Sequence, residues 1–217
     1  MKVIAVNGSP RKTWNTATLL QKALDGARSV GAQTEFIHLY DLNFKGCISC
    51  FTCKRKGAVH AGRCAMRDDL TNVLERILGC DVLLLGSPIY FGNITGEMDS
   101  FLERLLFSNL SYNSTSHRSV FQGKLSSGFI YTMNAPEEFL KQTNYQEAVF
   151  HHYRDLLQRL FNGTSEFLLS TDTYQFVDYS KYEASNFNEK HKSQVRAEQF
   201  PIDSQKAFDM GVRLASI

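Results

Sequence analysis

Five short apolar runs, each followed by a stretch of helical spacing, constrain this chain more than any other feature of its sequence. The runs are 3–6, 35–39, 82–85, 127–131 and 166–169. Leu19, Leu20, Ala23, Leu24 and Ala27 share one helical face, as do Leu70, Val73, Leu74 and Ile77. Met98, Phe101, Leu102 and Leu105 form a third set, and Val149, Tyr153, Leu156, Leu157 and Leu160 a fourth. Ala207, Met210, Gly211 and Leu214 complete the series. Strand and helix in strict alternation predict a parallel sheet covered on both faces, an α/β architecture. In such a sheet ligands bind beyond the carboxyl ends of the strands, where the strand order reverses. Two segments, 45–67 and 174–199, fit the alternation poorly and read as surface additions of the kind that carry function.

A length of 217 residues with 43% apolar side chains supports one good core, so a single domain over 1–217 is expected. The net charge of +2, with Lys and Arg scattered, gives no basic stripe and argues against nucleic acid as a partner. No apolar run approaches the ~20 residues of a membrane span, so no membrane partner is expected. The N-terminus reads directly as a strand with no signal-peptide core, which predicts a cytoplasmic protein. The sequons at Asn93, Asn109, Asn113 and Asn162 are then chance occurrences, and the five cysteines are not a disulfide framework.

The first strand runs into "NGSPRKTWNTATLL". Backbone N–H groups from Gly8 to Thr16 and the start of the next helix can converge on an anion, with Ser9, Thr13, Asn15 and Thr16 as short donors and Arg11 and Lys12 as cations. The stretch lacks both the three glycines of a dinucleotide fingerprint and the Gly-Lys-Ser/Thr of a nucleotide-triphosphate loop. A plain polar turn with Thr16 as helix N-cap is the competing reading. The third strand ends in "GSPIYFGNITGEM", where Pro88 stiffens the loop, Tyr90 and Phe91 offer flat apolar surface, and Gly92 admits a close backbone. That loop suits the edge and face of a planar heterocycle, unless Tyr90 and Phe91 merely pack it onto the following helix. The fourth strand ends in Tyr131, Thr132, Met133 and Asn134, which bring polar groups to the same end of the sheet.

Together, "GSPRKTWNTATLL", "CISCFTCK…CAMRDDL" and "GSPIYFGNITGEMDSFLER" resemble the NADPH-dependent FMN reductase family, and within it flavodoxin-fold oxidoreductases and iron–sulfur flavoproteins. The motifs extend to about Arg104. The resemblance implies a flavodoxin-like three-layer sandwich with a five-stranded parallel sheet of order 2-1-3-4-5. It implies FMN, its phosphate at Ser9, Arg11, Asn15 and Thr16 and its ring at Pro88, Ile89, Tyr90, Phe91, Gly92 and Asn93, with Thr132, Met133 and Asn134 as the third flavin loop. Trp14 stands where relatives usually have a small residue, and Asp99 where a Lys is common. The implied function is an FMN-dependent oxidoreductase taking electrons from NAD(P)H to a small acceptor such as a quinone or flavin. An iron–sulfur flavoprotein carrying electrons to ferredoxin-like partners is the alternative, and a zinc protein that has lost its flavin a third. Relatives are commonly dimers or tetramers, so a homodimer or homotetramer is expected, with the 174–203 extension covering a neighbouring subunit or its flavin site.

Cys47, Cys50 and Cys53 share a Cys-x-x-Cys-x-x-Cys run, and Cys64 follows after "KRKGAVHAGR". Thiolates two residues apart can reach adjacent corners of a [4Fe–4S] cluster with a fourth from further along, as the iron–sulfur relatives have it. In those relatives the fourth cysteine follows more closely. A four-thiolate zinc site, free thiols and core packing are the alternatives. Cys80, before an apolar strand, reads as core. No nucleophile or base arrangement is legible, and the histidines, including His151 and His152, read as surface or structural.

Overall fold

The computed structural model describes residues 1–57, 62–113, 119–143 and 146–216. Its centre is β1 (Lys2–Asn7), which pairs in parallel with β2 (Gln33–His38) on one side and β3 (Val82–Pro88) on the other. β4 (Leu125–Thr132) and β5 (Asn162–Ser170) extend the sheet, giving the order β2-β1-β3-β4-β5. All pairs are parallel, and the order reverses at β1/β3, as the flavodoxin-like reading requires. The middle strands are buried on both faces, which is why they read as continuous apolar runs instead of alternating ones.

The helices cover both faces with the spacing read from the sequence. α1 (Asn15–Ser29) and α6 (Glu189–Leu214) lie on one face, where Leu19, Leu20, Ala23 and Leu24 meet Val3, Ala5, Leu84, Met210 and Leu214. α2 (Leu70–Leu78), α3 (Gly96–Asn109) and α5 (His152–Phe161) build the other core around Ile4, Leu83, Leu85 and Phe129. Each buried Leu or Phe in these layers contributes roughly 1.5–3 kcal/mol. A short α4 (Glu137–Gln142) and a π-helical turn (Gln146–His151) precede α5.

The structure departs from the expected pattern at the C-terminal end. α6 begins at Glu189, well before the apolar set at Ala207, so much of the 174–203 stretch is helix. Its first half is polar and mostly exposed, with Lys192 and Phe200 its buried residues, and Asn188 caps it by accepting from the His191 N–H at 3.1 Å. α1 and α6 pack backbone to backbone: a Cβ added at Gly211 would sit 1.8 Å from the Ala23 carbonyl oxygen, and one at Gly26 2.0 Å from that of Phe208. Among the described residues no helix is long and apolar enough to cross a membrane.

Candidate functional site

The carboxyl ends of the inner strands are level: Asn7 pairs with Gly86, Pro88 with Thr132 and Thr132 with Ser170. The loops that follow therefore emerge side by side. Buried Asn7 organises the first, taking the Ser9 N–H at Oδ1 (3.1 Å) and donating from Nδ2 to His38 Nδ1 (3.0 Å). Burial leads the effects that lower the His38 pKa, with Lys12 aiding and Asp41 opposing, which suits a neutral ring accepting that bond. Thr95, the N-cap of α3, donates to the Gly8 carbonyl at 2.7 Å and gives its own N–H to Ser87 Oγ at 3.0 Å, joining the first two loops. Thr16 and Thr132 share a hydroxyl–hydroxyl bond of 2.7 Å, joining the first and third.

The helix after the first loop starts at Asn15, and its N-cap is Trp14, whose side chain makes no capping bond. Thr16, the alternative cap, lies inside the helix and faces Thr132 instead. No acidic residue sits in the first turn, so the free N–H groups and the positive end of the helix dipole are left for an external anion. A cleft of about 180 Å³ opens there. Ser9, Arg11, Asn15 and Thr16 line it from the first loop, Pro88, Ile89 and Tyr90 from the second, and Thr132, Met133 and Asn134 from the third. The Asn134 side-chain oxygen is buried with no hydrogen-bond partner, an acceptor in want of a donor.

Phe91, Gly92 and Asn93 do not line the cleft. Tyr90 and Asn93 bond each other's backbone at 2.8 and 3.0 Å, and Phe91 and Gly92 turn between them with φ of +51° and +81°. Two positive φ values in succession are the mark of a type I′ turn, which glycine adopts freely and phenylalanine does not. The Phe91 ring is fully exposed, so the loop is not packed onto α3 through it.

Sequence reasoning missed the fourth wall. After β5 the chain folds back, and its carbonyls serve the first loop. Arg11 donates to the Gln175 oxygen at 2.6 Å, while the Trp14 indole and the Asn15 amide donate to that of Tyr174 at 3.1 and 2.9 Å. Trp14 thus has a place the family pattern does not foretell: it ties the loop to this strap and carries the Arg11 guanidinium 4.7 Å above its ring. The strap covers the first loop of its own chain. The third loop is held from α6 by buried Lys192, which donates to the Asn134 carbonyl at 2.8 Å and pairs with Asp172, itself also bonded by His191. Nothing local in the sequence marks Tyr174, Gln175 or Lys192, because their partners lie far away along the chain.

Elsewhere, a larger hollow of about 850 Å³ opens between α4, the end of β5 and α6. Its lining includes the acids Glu137, Glu138, Asp172, Glu198 and Asp203 with Lys206 and His191 among them, a mainly acidic set that disfavours an anion.

Cys47, Cys50, Cys53 and Cys64 all line one small cavity of about 20 Å³ against α3. Part of the loop before Cys64, residues 58–61, lies outside the described residues. Among those described, no three His, Cys, Asp or Glu side chains are placed to hold a single metal ion. Burial leads the effects that raise the Cys53 pKa, with Cys64 and Cys47 adding to it, whereas hydrogen bonds from Thr52 lower that of exposed Cys50. Arg104 reaches this cavity from α3 with its side chain wholly buried. It donates to Asp68 at 2.5 Å and to the Lys45 carbonyl at 3.2 Å, yet its Nε and Nη2 have no partner. Burial opposes its charge, but Asp68 and Cys64 outweigh this and hold its pKa above the ordinary value. Cys80 is core, as read: burial pushes its thiol up to about 12. Asp99 accepts from the Tyr153 hydroxyl at 3.0 Å and takes no part in the cleft.

The sequence profile described as NADPH-dependent FMN reductase matches residues 1–158. An iron–sulfur flavoprotein of Methanocaldococcus jannaschii is 38% identical over 104 residues, 48% of this chain and 51% of that protein. One from Archaeoglobus fulgidus is 34% identical over 128 residues, 59% of this chain and 60% of that protein. The chain thus spans between half and three fifths of the length of these curated relatives. Among solved structures, an NAD(P)H:quinone oxidoreductase from Methanothermobacter marburgensis superposes with a TM-score of 0.69 at 17% identity, covering 99% of this chain and 96% of that one, which supports the fold. With the profile running from β1 into α5 and through all three loops of the cleft, the chain belongs to the NADPH-dependent FMN reductase family.

Proposed function

We propose that this chain is an FMN-dependent oxidoreductase that takes electrons from NAD(P)H and passes them to a small acceptor such as a quinone or a flavin. The observation that carries the reading is the amino end of α1: no side-chain cap, no acid in its first turn, Arg11 facing neutral carbonyl oxygen, and buried Ser9 and Thr16 beside it. Such a site fits a phosphate dianion. The buried, unpartnered Asn134 oxygen fits an N–H on the edge of a heterocycle. Ser9, Arg11, Asn15 and Thr16 would hold the phosphate, and Pro88, Ile89 and Tyr90 with Thr132, Met133 and Asn134 would orient the ring. Phe91, Gly92 and Asn93 form the turn at the mouth, where the exposed Phe91 ring would shield the ring from water. FMN, when bound, supplies the hydride and electron chemistry at its N5; the protein supplies position and environment. A homodimer or homotetramer belongs to the same proposal, since the cleft is open on one side and hydride transfer gains from excluding water. Mixing the oxidised flavoprotein with NADPH or NADH in a stopped-flow cell is expected to bleach the flavin within seconds. Flavin that stays oxidised with both nucleotides, but is reduced by ferredoxin, would make the protein an electron carrier instead.

The four cysteines favour a second component of the same reading. The chemistry of the donor set fits an anionic thiolate-bound [4Fe–4S] group, because a buried arginine with two unpartnered nitrogens lies against the thiols. Cys47, Cys50, Cys53 and Cys64 would ligate it and Arg104 would offset its charge. Anaerobic purification followed by iron and acid-labile sulfide analysis is expected to find about four of each per chain, lost in Cys50→Ala. Protein with bound flavin and neither iron nor sulfide after anaerobic reconstitution would leave an FMN oxidoreductase with free thiols.

A further inference from the structure

We infer that Arg196, on the C-terminal helix, is a positioning residue for the cofactor phosphate: it fixes the amide of Asn15 so that its N–H group, not its oxygen, faces the anion. This rests on the FMN reading above. Arg196 lies 181 residues from Asn15 in sequence, and its Nη1 donates to Asn15 Oδ1 at 2.9 Å. A guanidinium has donors and no acceptor, so it can accept only the oxygen end of the amide as its neighbour. On the other side the Tyr174 carbonyl has acceptors and no donor, and it takes Asn15 Nδ2 at 2.9 Å. Both neighbours demand the same orientation, and neither tolerates the flipped one.

The consequence falls on the ligand. Asn15 is the first residue of α1 and is buried. Its Nδ2 carries two hydrogens; the Tyr174 carbonyl takes one and the second remains for a group at the helix end. A flipped amide would turn its lone pairs toward the phosphate and repel it. Arg196 also brings a positive charge one side chain behind that position. Its guanidinium lies over the Phe200 ring, 4.0 Å from the centroid, so the side chain is held in place from its own helix as well. Arg11 supplies charge from the loop itself, whereas Arg196 supplies both charge and orientation from outside the region that the family profile matches.

The test is titration of flavin-stripped protein with FMN and with riboflavin, read by quenching of flavin fluorescence, in wild type, Arg196→Gln, Arg196→Lys and Arg11→Ala. Wild type is expected to prefer FMN. Arg196→Gln should weaken FMN binding about tenfold and make it less sensitive to salt, with riboflavin changed less than about twofold. Arg196→Lys, which keeps a charge and a donor, should recover to within about threefold of wild type. An equal loss for both flavins would show that Arg196 merely supports the fold, and unchanged FMN binding would show no role; either overturns the inference. If Arg11→Ala loses FMN affinity while Arg196→Gln does not, the phosphate reading stands and the inference alone falls. A wild type that does not distinguish FMN from riboflavin overturns both.

Discussion

Gly211→Val is expected to destabilise the fold by about 3 kcal/mol or more, lowering the melting temperature by roughly 10 °C if the variant folds at all. The new side chain would start 1.8 Å from the Ala23 carbonyl oxygen, 2.7 Å from its carbon and 3.1 Å from its Cα. Those atoms are backbone inside α1, and α1 is itself pressed against the sheet by Leu19, Leu20 and Leu24. A flexible side chain could swing aside; a helical carbonyl cannot without moving its helix. Thermal unfolding followed by circular dichroism measures the effect, and Gly96→Ala is the control, because nothing lies within 4 Å of a Cβ there. A Gly211→Val melting point within about 2 °C of wild type would mean that α6 slides freely over α1.

The second large effect is expected at Lys192→Met, which should cost about 3 kcal/mol and loosen flavin binding with it. Lys192 is buried, and its ammonium serves both Asp172 and the Asn134 carbonyl, so the variant leaves a carboxylate short of its main partner and frees the third loop. Burial by itself would raise the Asp172 pKa, but hydrogen bonds and charge from Lys192 and His191 outweigh it and hold the carboxyl below its ordinary range. A depressed folded-state pKa contributes stability above the unfolded value, near 4, and that contribution fades as pH falls toward the folded one. Urea unfolding from pH 7 down to pH 3 should therefore show the wild-type advantage over Lys192→Met shrinking at the acid end. An advantage constant across that range would mean that the ion pair is not what Lys192 contributes.

The sequence pattern was a good guide wherever neighbours in sequence are neighbours in space. The apolar runs fall in β1 to β5, and they are most continuous in β1 and β3, which lie inside the sheet and are buried on both faces. Ser9, Thr16, Pro88 and Thr132 could be placed at one end of the sheet from the strand–loop order alone, and they line one cleft. What the pattern hid has a common cause. The first half of α6 is helix without an apolar stripe because it is mostly exposed, so its periodicity is silent there. Tyr174 and Gln175 act through backbone carbonyls, which every residue possesses, so no side chain announces them. Phe91 looked like packing or a ring cover from its apolarity, yet its place is set by a turn that its residue type does not favour. The cysteine spacing raised the question of a metal group, and the two unpartnered nitrogens of buried Arg104 that bear on it became visible in three dimensions alone.

The close crossing of α1 and α6 also sets an order of events during synthesis. The first loop and α1 are made before β2 to β5, yet the outer face of α1 is covered by α6, which follows all five strands. A ribosome-bound chain that has reached Ser170 already has all five strands but has neither the strap over Arg11 nor the helix that closes on Ala23. Contacts of such long sequence separation form late. The first loop therefore takes its finished shape only after the strap and α6 have been made.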